Sequence, residues 1–426
     1  MTALLRSRTV ADFVRQRGAA LPAEALAIAA PIVEDVRRRG EAALREHAAR
    51  FGDLAPGERL VVERPALERA LTSLDCADRE RLDRVAGRIR AFAEAQRRSL
   101  VDVTVPVPGG AAGHRVLPVE RAGCYAPGGR YPLPSSILMT VVSARVAGVR
   151  QVWVASPRPT PLVLAAAAIA GADALLAAGG AQAIAALAYG AGPVPPCDVV
   201  VGPGNRYVTA AKQLVSSAVG IDMLAGPSEL VVFADGSADP GLVADDLLAQ
   251  AEHDPDTVPV LLSLDPTLPP RVDAELRTRL ADLPTAAVAR AALGNGGAVA
   301  IATVDDGVAA CDAIAPEHLE LHLAGAAAVA QRLRNYGALF IGVGASAVLA
   351  DYGAGPNHTL PTSGTAHWAG GLSVFTFLRA RTWLQLDDAV AAGELAADAA
   401  WFARLEGLEA HVRAAEGRLV RAPNET

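Results

Sequence analysis

The sequence has few aromatic residues, few cysteines and no dense cluster of basic charge, and each shortage narrows the possible folds and functions. Only 4% of the 426 residues are Phe, Trp or Tyr although 51% are hydrophobic, so Ala, Val and Leu must fill the core. Such a composition is typical of layered α/β packing, and the length predicts more than one domain. The net charge is −7, and no run of Lys or Arg could form a basic footprint, which argues against nucleic acid as a partner.

The four cysteines lie far apart and form no CxxC pair: Cys76, Cys124, Cys197 and Cys311. This spacing is typical of reduced, structural thiols in a cytosolic protein. Cys124 lies beside Tyr125 in a Gly-rich turn, where a reactive thiol is an alternative. No neighbouring base is present to lower its pKa, so we expect an inert thiol.

One apolar stretch, at 161–190, resembles a membrane span because Asp173 is its only charge. Its apolar residues are mostly Ala, and Gly171, Gly179 and Gly180 interrupt it. The stretch therefore predicts buried helices and a strand rather than a helix of about 20 residues crossing lipid. The N-terminus shows no apolar core followed by a cleavage site, which predicts a cytoplasmic protein without a signal peptide.

Strand-like apolar runs alternate with helical segments, which predicts parallel βαβ units. The pattern runs once through 121–227 and restarts near residue 229, where Asp239 and Pro240 supply an N-cap and a Pro at N1 for the next helix. The predicted strands are 149–155, 174–178, 199–201, 229–234, 258–263, 298–302 and 338–341, and the predicted helices before them are 31–39, 41–51 and one or two within 65–99.

These patterns predict an α/β protein of two Rossmann-like domains with incomplete, parallel sheets and a small helical C-terminal arm. One domain is an insertion at 121–227, and the other combines 1–120 with 228–365. The tail at 366–426 is helical from 387 to 416 and too small for its own core. We therefore expect the tail to pack across another body.

Nearly all the metal-binding chemistry lies in four short polar segments: 250–253, 316–318, 351–358 and 406–411. Imidazole with carboxylate and amide oxygen is a ligand set that zinc accepts. A His–Glu pair outside the coordination shell could transfer protons. The distribution predicts one metal-centred active site assembled from distant parts of the chain.

Each segment alone also has an ordinary structural explanation. Gln250 and His253 project from one face of a predicted helix, but they could be an exposed polar helix end. The alternation from His318 to His322 predicts a strand, and the HExxH spacing of a zinc protease is absent. At the start of a strand Glu317 and His318 could reach one pocket, or they could be a satisfied surface pair.

The remaining polar pairs are weaker signals. Asp351 and His358 lie in a Gly/Pro loop that could be a structural turn, and Glu406 and His411 are five residues apart in a predicted helix. Gly342-Val-Gly344 matches a dinucleotide fingerprint but lacks the acidic residue about 20 positions downstream. The Gly-rich turns at 126–130 and 202–205 are better candidates for holding a pyrophosphate.

Together these segments resemble histidinol dehydrogenases in nine motifs between Ile32 and His411, which occur in the order of that family. The motifs are Tyr125-Ala-Pro-Gly-Gly with Pro134-Ser-Ser-Ile-Leu-Met139, Gly179-Gly-Ala-Gln182, Gly202-Pro-Gly-Asn205 with Ala211-Lys212, Ile221 to Glu229, Gln250-Ala-Glu-His253, Pro316-Glu317-His318, Asp351 to Thr362, Gly371-Leu-Ser-Val374, and Glu406 to His411.

The resemblance implies a zinc- and NAD-dependent enzyme that oxidises L-histidinol through the aldehyde to L-histidine. It implies a homodimer in which the C-terminal arm completes the partner's site, an NAD-binding domain at 121–227, and metal and acid/base residues in the other domain. The implied roles are zinc ligation by Gln250, His253, Asp351 and His411, and acid/base catalysis by Glu317 and His318. The four zinc ligands and His318 would also bind substrate, together with Ser228, His358 and Glu406, and NAD would be contacted by Tyr125, Gln182 and Asn205.

The sequence departs from the family pattern at a few positions. Cys124, Arg130 and Tyr131 vary around the first Gly-rich turn, and His367-Trp368 stands where the family leads us to expect Arg and a single-ring aromatic. These departures leave open a paralogous dehydrogenase for another polar or amino alcohol. A zinc-binding structural or regulatory protein without turnover is a further alternative, although it would not need a Glu–His pair beside the metal.

Overall fold

The computed structural model describes residues 3–15, 21–55, 57–128 and 132–419. The chain divides into a larger unit, Met1–Ala95 with Val119–Phe377, and a smaller unit, Gln96–Pro118 with Leu378–Thr426. The helices are α1 (Val10–Arg15), α2 (Ala23–Arg39), α3 (Glu41–Arg50), α4 (Arg64–Ser73), α5 (Cys76–Arg98), α6 (Pro134–Ala147), α7 (Pro161–Ala170), α8 (Gly180–Tyr189), α9 (Arg206–Val215), α10 (Pro240–Ala251), α11 (Leu268–Leu280), α12 (Ala286–Asn295), α13 (Val304–Ile314), α14 (Ala326–Ala330), α15 (Ala347–Asp351), α16 (Gly393–Leu405) and α17 (Glu409–Glu416). The strands are β1 (Val61–Glu63), β2 (Val103–Val107), β3 (Gly110–Pro118), β4 (Arg121–Tyr125), β5 (Gln151–Ala155), β6 (Ala174–Leu176), β7 (Val199–Val201), β8 (Gly220–Ile221), β9 (Glu229–Ala234), β10 (Val258–Ser263), β11 (Gly297–Ala300), β12 (His318–His322), β13 (Ala338–Ile341) and β14 (Leu378–Leu386).

The first sheet of the larger unit has the strand order β1-β6-β5-β4-β7-β8. Strands β4 to β8 run parallel, and β1 joins the β6 edge antiparallel. Its inner strands are nearly continuous apolar runs such as Val199–Val201, as expected for a parallel sheet covered by helices. Helices α2, α3, α8 and α9 share one buried cluster on this sheet, while α6 packs on β4 and β5.

The second sheet of the larger unit has the order β11-β10-β9-β12-β13 and is parallel throughout. Alternate residues of β9 point to opposite faces. Leu230 and Val232 belong to the cluster formed with α10, α11 and α12, whereas Val231 and Phe233 belong to the cluster formed with α13 and α14. The two parallel sheets confirm the predicted α/β class.

The smaller unit contains the antiparallel sheet β14-β3-β2 and a helical hairpin. Strand β14 pairs with β3 from Leu378 opposite Pro118 to Leu386 opposite Gly110. Helices α16 and α17 pack on each other through four small buried residues, Ala400, Ala403, Val412 and Ala415. The tail therefore has only a minimal core of its own, and the C-terminal arm is helical as predicted.

Three features of the chain differ from the sequence-based expectations. Residues from Leu21 to Leu60 pack on the first sheet, and β1 joins that sheet, whereas the sequence grouped 1–120 with 228–365. The antiparallel sheet β2-β3-β14 was not predicted, because β3 is rich in Gly and Ala. The helix expected over 387–416 is wrong as one element, since it begins at Gly393 and breaks at Gly407, whose φ of +73° is left-handed.

No helix in the described ranges is long and apolar enough to cross a membrane. The stretch at 161–190 instead forms the helices α7 and α8 and, between them, the strand β6 of the first sheet. Most residues of all three elements are buried. Glycines at 171 and 179–180 end or begin these elements, as the sequence indicated.

A pair of glycines allows a stability test of the second sheet. A Cβ at Gly307 of α13 would collide with the ring of the fully buried Phe233. Replacing Gly307 by Ala should lower the free energy of unfolding by about 1–3 kcal/mol through overpacking. Gly294 of α12 has open space around it, so Gly294→Ala should be neutral or stabilise by up to about 1 kcal/mol. Urea unfolding measures both, and equal effects would contradict this packing.

Candidate active site

A cavity of about 1160 Å³ lies in the larger unit, lined by residues from both parallel sheets. On one side are the end of β4, the start of α8 and the turn after β7, which contribute Tyr125, Gln182 and Asn205. On the other side are the starts of β9 and β12, which contribute Ser228 and His318. The cavity therefore lies between the carboxyl edge of one sheet and the amino edge of the other.

Glu317 and His318 both line the cavity at the start of β12, and both are buried. The backbone of one residue, Glu229, holds the two side chains. Its N–H donates to Glu317 Oε2 at 2.9 Å, and its C=O lies 3.1 Å from His318 Nδ1. The two side chains approach to 3.5 Å, Nδ1 to Oε2. They reach one pocket although successive residues of a strand point to opposite faces, because Glu317 precedes the strand.

The surroundings of His318 fix its tautomer. Nδ1 faces a carbonyl oxygen and must donate its hydrogen, which leaves the lone pair on Nε2. Nε2 is buried without a hydrogen-bond partner and lies 3.8 Å from Asp351 Oδ1. Desolvation lowers the pKa of His318 to about 4, with His253 and His358 adding to the effect. At neutral pH the ring is therefore an uncharged base aimed into the cavity.

Burial has the opposite effect on the neighbouring carboxyls. The pKa of Glu317 is raised well above its ordinary value, chiefly by desolvation, and the negative charges of Glu229 and Asp351 raise it further. Desolvation also raises the pKa of Asp351 to about 7, and the charge of Glu320 contributes. Both carboxyls favour their neutral forms until a cation or a donor balances them.

Three of the four residues expected to bind zinc lie at the ends of two helices, α10 and α15. Gln250 is buried near the end of α10, and its Nε2 has no hydrogen-bond partner. His253 follows the same helix, and Asp351 ends α15; both line the cavity. The amide oxygen of Gln250, an imidazole and a carboxylate are ligand types that suit zinc. This part of the site fits the ion.

His358 connects the Asp351 loop to the first sheet. Its Nδ1 lies 3.1 Å from the Asp351 carbonyl oxygen, and its Nε2 lies 3.3 Å from Ser136 Oγ, at the start of α6. Desolvation lowers the pKa of His358 to about 4, so its ring is neutral and Nε2 can accept the Ser136 hydrogen. Asn357 donates to the Met139 carbonyl oxygen at 2.9 Å, which fixes the loop on α6.

The residues expected to contact NAD also have structural partners. The Gly180 N–H donates to the Tyr125 hydroxyl at 3.1 Å, and the Gln182 amide donates to Asp53 at 3.1 Å. Asn205 caps α9 by accepting from the backbone N–H groups of residues 207 and 208. All three line the cavity. Of the first Gly-rich turn, residues 129–131 lie outside the described residues, including the departures at Arg130 and Tyr131.

The only lysine of the sequence, Lys212, fixes the second Gly-rich turn. Its Nζ donates to the Gly202 carbonyl and to Asp222, each at 2.5 Å, and the Gly202 N–H donates to the same carboxylate at 2.7 Å. The side chains of Lys212 and Asp222 are almost fully buried. The Lys212–Asp222 ion pair therefore binds both the C=O and the N–H of Gly202, the residue that begins the turn.

Glu406 and His411 belong to the smaller unit, whereas every residue lining the cavity belongs to the larger one. Glu406 ends α16 and His411 lies in the first turns of α17, and both are exposed. They are thus separated by a helix break rather than sharing one helix as the sequence indicated.

The sequence analysis assigned no role to several residues of the site. Asp53 accepts from Gly179 and Gln182, Ser136 contacts His358, and Glu229 positions the Glu–His pair. The Glu229 contacts involve its backbone, so its residue type could not indicate them. Asp53 stands alone after Gly52, and nothing local marks it.

The departures from the family pattern have different surroundings. Cys124 is buried, and desolvation raises its pKa to about 12, so it is an inert thiol. All four cysteines are free thiols, and three are buried. Trp368 is 78% exposed and follows a short 3₁₀ helix that ends at His367. Neither residue lines the cavity.

Comparison with known proteins agrees with this geometry. The family model for histidinol dehydrogenase matches residues 15–419. A histidinol dehydrogenase from Thermus thermophilus is 50% identical over 388 residues, which cover 91% of this chain and 93% of that protein. One from Pseudomonas fluorescens is 43% identical over 396 residues, covering 91% and 89%. The crystal structure of histidinol dehydrogenase from Elizabethkingia anophelis is similar with a TM-score of 0.90 and 28% identity, covering 98% of this chain and 99% of that one. The chain belongs to the histidinol dehydrogenase family and is an oxidoreductase.

Proposed function

We propose that this protein oxidises L-histidinol through histidinal to L-histidine, with one catalytic zinc ion per subunit and two molecules of NAD+ reduced per turnover. The observation that carries the proposal is the buried, unpartnered Nε2 of His318, which lies beside Asp351 in a cavity large enough for substrate and cofactor. The described residues offer no hydrogen-bond partner to this nitrogen, so its lone pair is available to a ligand. It suits the removal of a proton from a bound alcohol.

Zinc would be held by Gln250, His253 and Asp351 together with His411 from the arm of a second subunit. The raised pKa of Asp351 supports this assignment, because a bound cation would stabilise its charged form. The ion would act as a Lewis acid that binds nitrogen atoms of the substrate, and so would orient its hydroxymethyl carbon. Ser228, His358 and Glu406 complete the substrate pocket.

His318 carries out the first proton transfer. Its neutral ring takes the hydroxyl proton on Nε2 while the carbinol carbon gives its hydride to NAD+, so the alcohol becomes an aldehyde. The Glu229 carbonyl accepts the Nδ1 hydrogen at 3.1 Å and keeps the ring in the required tautomer and orientation. The positive charge that develops on the ring is compensated by the neighbouring carboxyl of Asp351.

Glu317 acts in the second oxidation. Its carboxylate takes a proton from the water that attacks the aldehyde, and the hydrate then gives a second hydride to NAD+. Its raised pKa makes the carboxylate a stronger base than an exposed Glu, and the Glu229 N–H holds one oxygen in place. Glu317 and His318 therefore share the two proton transfers.

NAD+ would bind at the carboxyl edge of the first sheet, against Tyr125, Gln182 and Asn205. The N-termini of α8 and α9 begin at Gly-rich turns there, where the positive end of the helix dipole favours phosphate. The buried pair of Lys212 and Asp222 keeps the second turn open for close backbone approach.

The smaller unit would act as the dimerisation arm. Glu406 and His411 are exposed on a hairpin with a minimal core, which supports their use in the site of a second subunit. We propose a cytoplasmic homodimer, in keeping with four reduced cysteines.

Turnover with histidinol tests the proposal directly. Purified zinc-loaded protein should form two NADH per histidinol consumed, because both oxidations occur in one site. Absorbance at the NADH band and amino-acid analysis measure the ratio, with a panel of other amino alcohols as comparison. A higher kcat/KM for another alcohol would favour the paralogous dehydrogenase, and no NADH with any alcohol would leave only a binding protein.

Removal of the proposed base separates chemistry from metal binding. His318→Ala should slow hydride transfer by about 10²–10⁴-fold while zinc content stays at the wild-type value. Single-turnover NADH formation and metal analysis give the two readouts. His114→Ala, in the smaller unit and hydrogen-bonded only to a backbone carbonyl, is the matched control and should keep full activity. Loss of zinc in the His318 variant would make that residue a ligand instead.

Mixed dimers test whether subunits share their sites. His318→Ala and His411→Ala chains are each inactive alone, but a mixed dimer would contain one site with both residues intact. Random mixing at equal amounts should restore about one quarter of wild-type activity, since half the dimers are mixed and each has one working site. Tagged mixed dimers isolated without any activity would show that each subunit completes its own site.

A further inference from the structure

A second cluster of ligand-type side chains lies along β12, apart from the residues that line the cavity. His318, Glu320 and His322 occupy alternate positions of the strand and share one face, while Leu319 and Leu321 lie in the apolar core on the other. His322 and Glu320 approach Asp246 of α10, which precedes Gln250 by one helical turn. None of these three residues has been given a role above.

The three side chains are buried but poorly satisfied. The side chains of Glu320 and His322 are fully buried, and Asp246 is 16% exposed. Both ring nitrogens of His322 and Glu320 Oε2 have no hydrogen-bond partner. Across the described ranges no Lys or Arg forms an ion pair with Asp246 or Glu320. Two buried carboxyls and an unpartnered imidazole carry a free-energy cost that a bound cation would remove.

The distances from His322 to the two carboxyls fit a shared ion better than direct hydrogen bonds. His322 Nε2 lies 3.5 Å from Asp246 Oδ2 and 3.6 Å from Glu320 Oε2, and the three ligand atoms all lie within 4.8 Å of one another. An N–H···O bond would bring such atoms to about 2.7–3.2 Å. Two ligands about 2.1 Å from a tetrahedral zinc ion stand about 3.4 Å apart. The two separations from His322 are therefore those of neighbours in a coordination shell, and the two carboxyls are close enough to each other to share a proton when no ion is bound.

We propose that Asp246, Glu320 and His322 form a second binding site for a divalent cation, distinct from the proposed catalytic zinc site. One imidazole and two carboxylates are ligands for a borderline ion such as zinc. The partial exposure of Asp246 leaves a route for a water molecule as the fourth ligand.

The ion would connect the elements that carry the active site. Asp246 lies on the helix of Gln250, and Glu320 and His322 lie on the strand of His318. Glu320 also accepts the Ala347 N–H at 2.7 Å, at the start of the helix that ends with Asp351. A cation here would hold α10, β12 and α15 at fixed separations without contacting the substrate.

Zinc stoichiometry tests the site and separates it from the proposed function, on which it does not depend. Full-length wild-type protein dialysed against zinc and then buffer should retain two zinc ions per chain by mass spectrometric metal analysis. His322→Gln should retain only the catalytic zinc ion, and His253→Ala should retain only the zinc ion of the second site. His47→Gln, which removes a histidine paired to Asp35 on the surface, is the control and should retain two.

The outcomes distinguish the two proposals. One zinc in wild type that is lost in His253→Ala and kept in His322→Gln would overturn the second site and leave the catalytic one intact. One zinc lost only in His322→Gln would support the second site and overturn the catalytic assignment.

If His322→Gln does not fold, wild-type crystals grown with zinc give an independent answer. An anomalous difference peak at the zinc edge is expected within coordination distance of His322 Nε2, Asp246 and Glu320. A peak only beside His253 and Asp351 at saturating zinc would show that the buried cluster instead shares a proton, and would overturn the proposal.

Discussion

The active site depends on the backbone of one residue, Glu229. Its N–H and C=O hold the two candidate proton-transfer groups, Glu317 and His318. This is possible because β9 and β12 are parallel neighbours with His318 opposite Leu230, which brings the start of one strand against the residues preceding the other. A shift of the register by one residue would turn β12 over and bury its polar face in the apolar core. The pairing of two strands therefore fixes the chemistry of Glu317 and His318 as firmly as their residue types do.

Desolvation governs the charges at this site. It lowers the pKa values of His318 and His358 to about 4 and raises that of Asp351 to about 7, so each group is driven toward its neutral form. The site is thus prepared for ligands that bring charge. Lys212 and Asp222 are the contrasting case, since each of these buried side chains bonds to the other and to the backbone of Gly202.

The sequence predicted those features that residue type and local pattern determine. The parallel strands were visible as short apolar runs, and Gln250, His253, Asp351 and the Glu–His pair were visible as clustered ligand types. Features created by distant contacts were not visible. Ser136 meets His358 across 222 residues, and the pairing of β3 with β14 joins segments about 270 residues apart. The alternation from His318 to His322 predicted the strand β12, and the same alternation places Glu320 and His322 on the face of His318.

The position of Asp351 shows how tertiary contacts can define a functional residue on an element with little stability of its own. Helix α15 is a single turn of five residues, too short to persist in isolation. The N–H of its first residue, Ala347, donates to Glu320 at 2.7 Å, and the carbonyl of its last residue, Asp351, lies 3.1 Å from His358 Nδ1. Side chains from other segments therefore hold both ends of the helix, and the Asp351 carboxyl lies beside His318. The buried polar row of β12 is therefore part of what sets the geometry of the site, even though only its first member reaches the cavity.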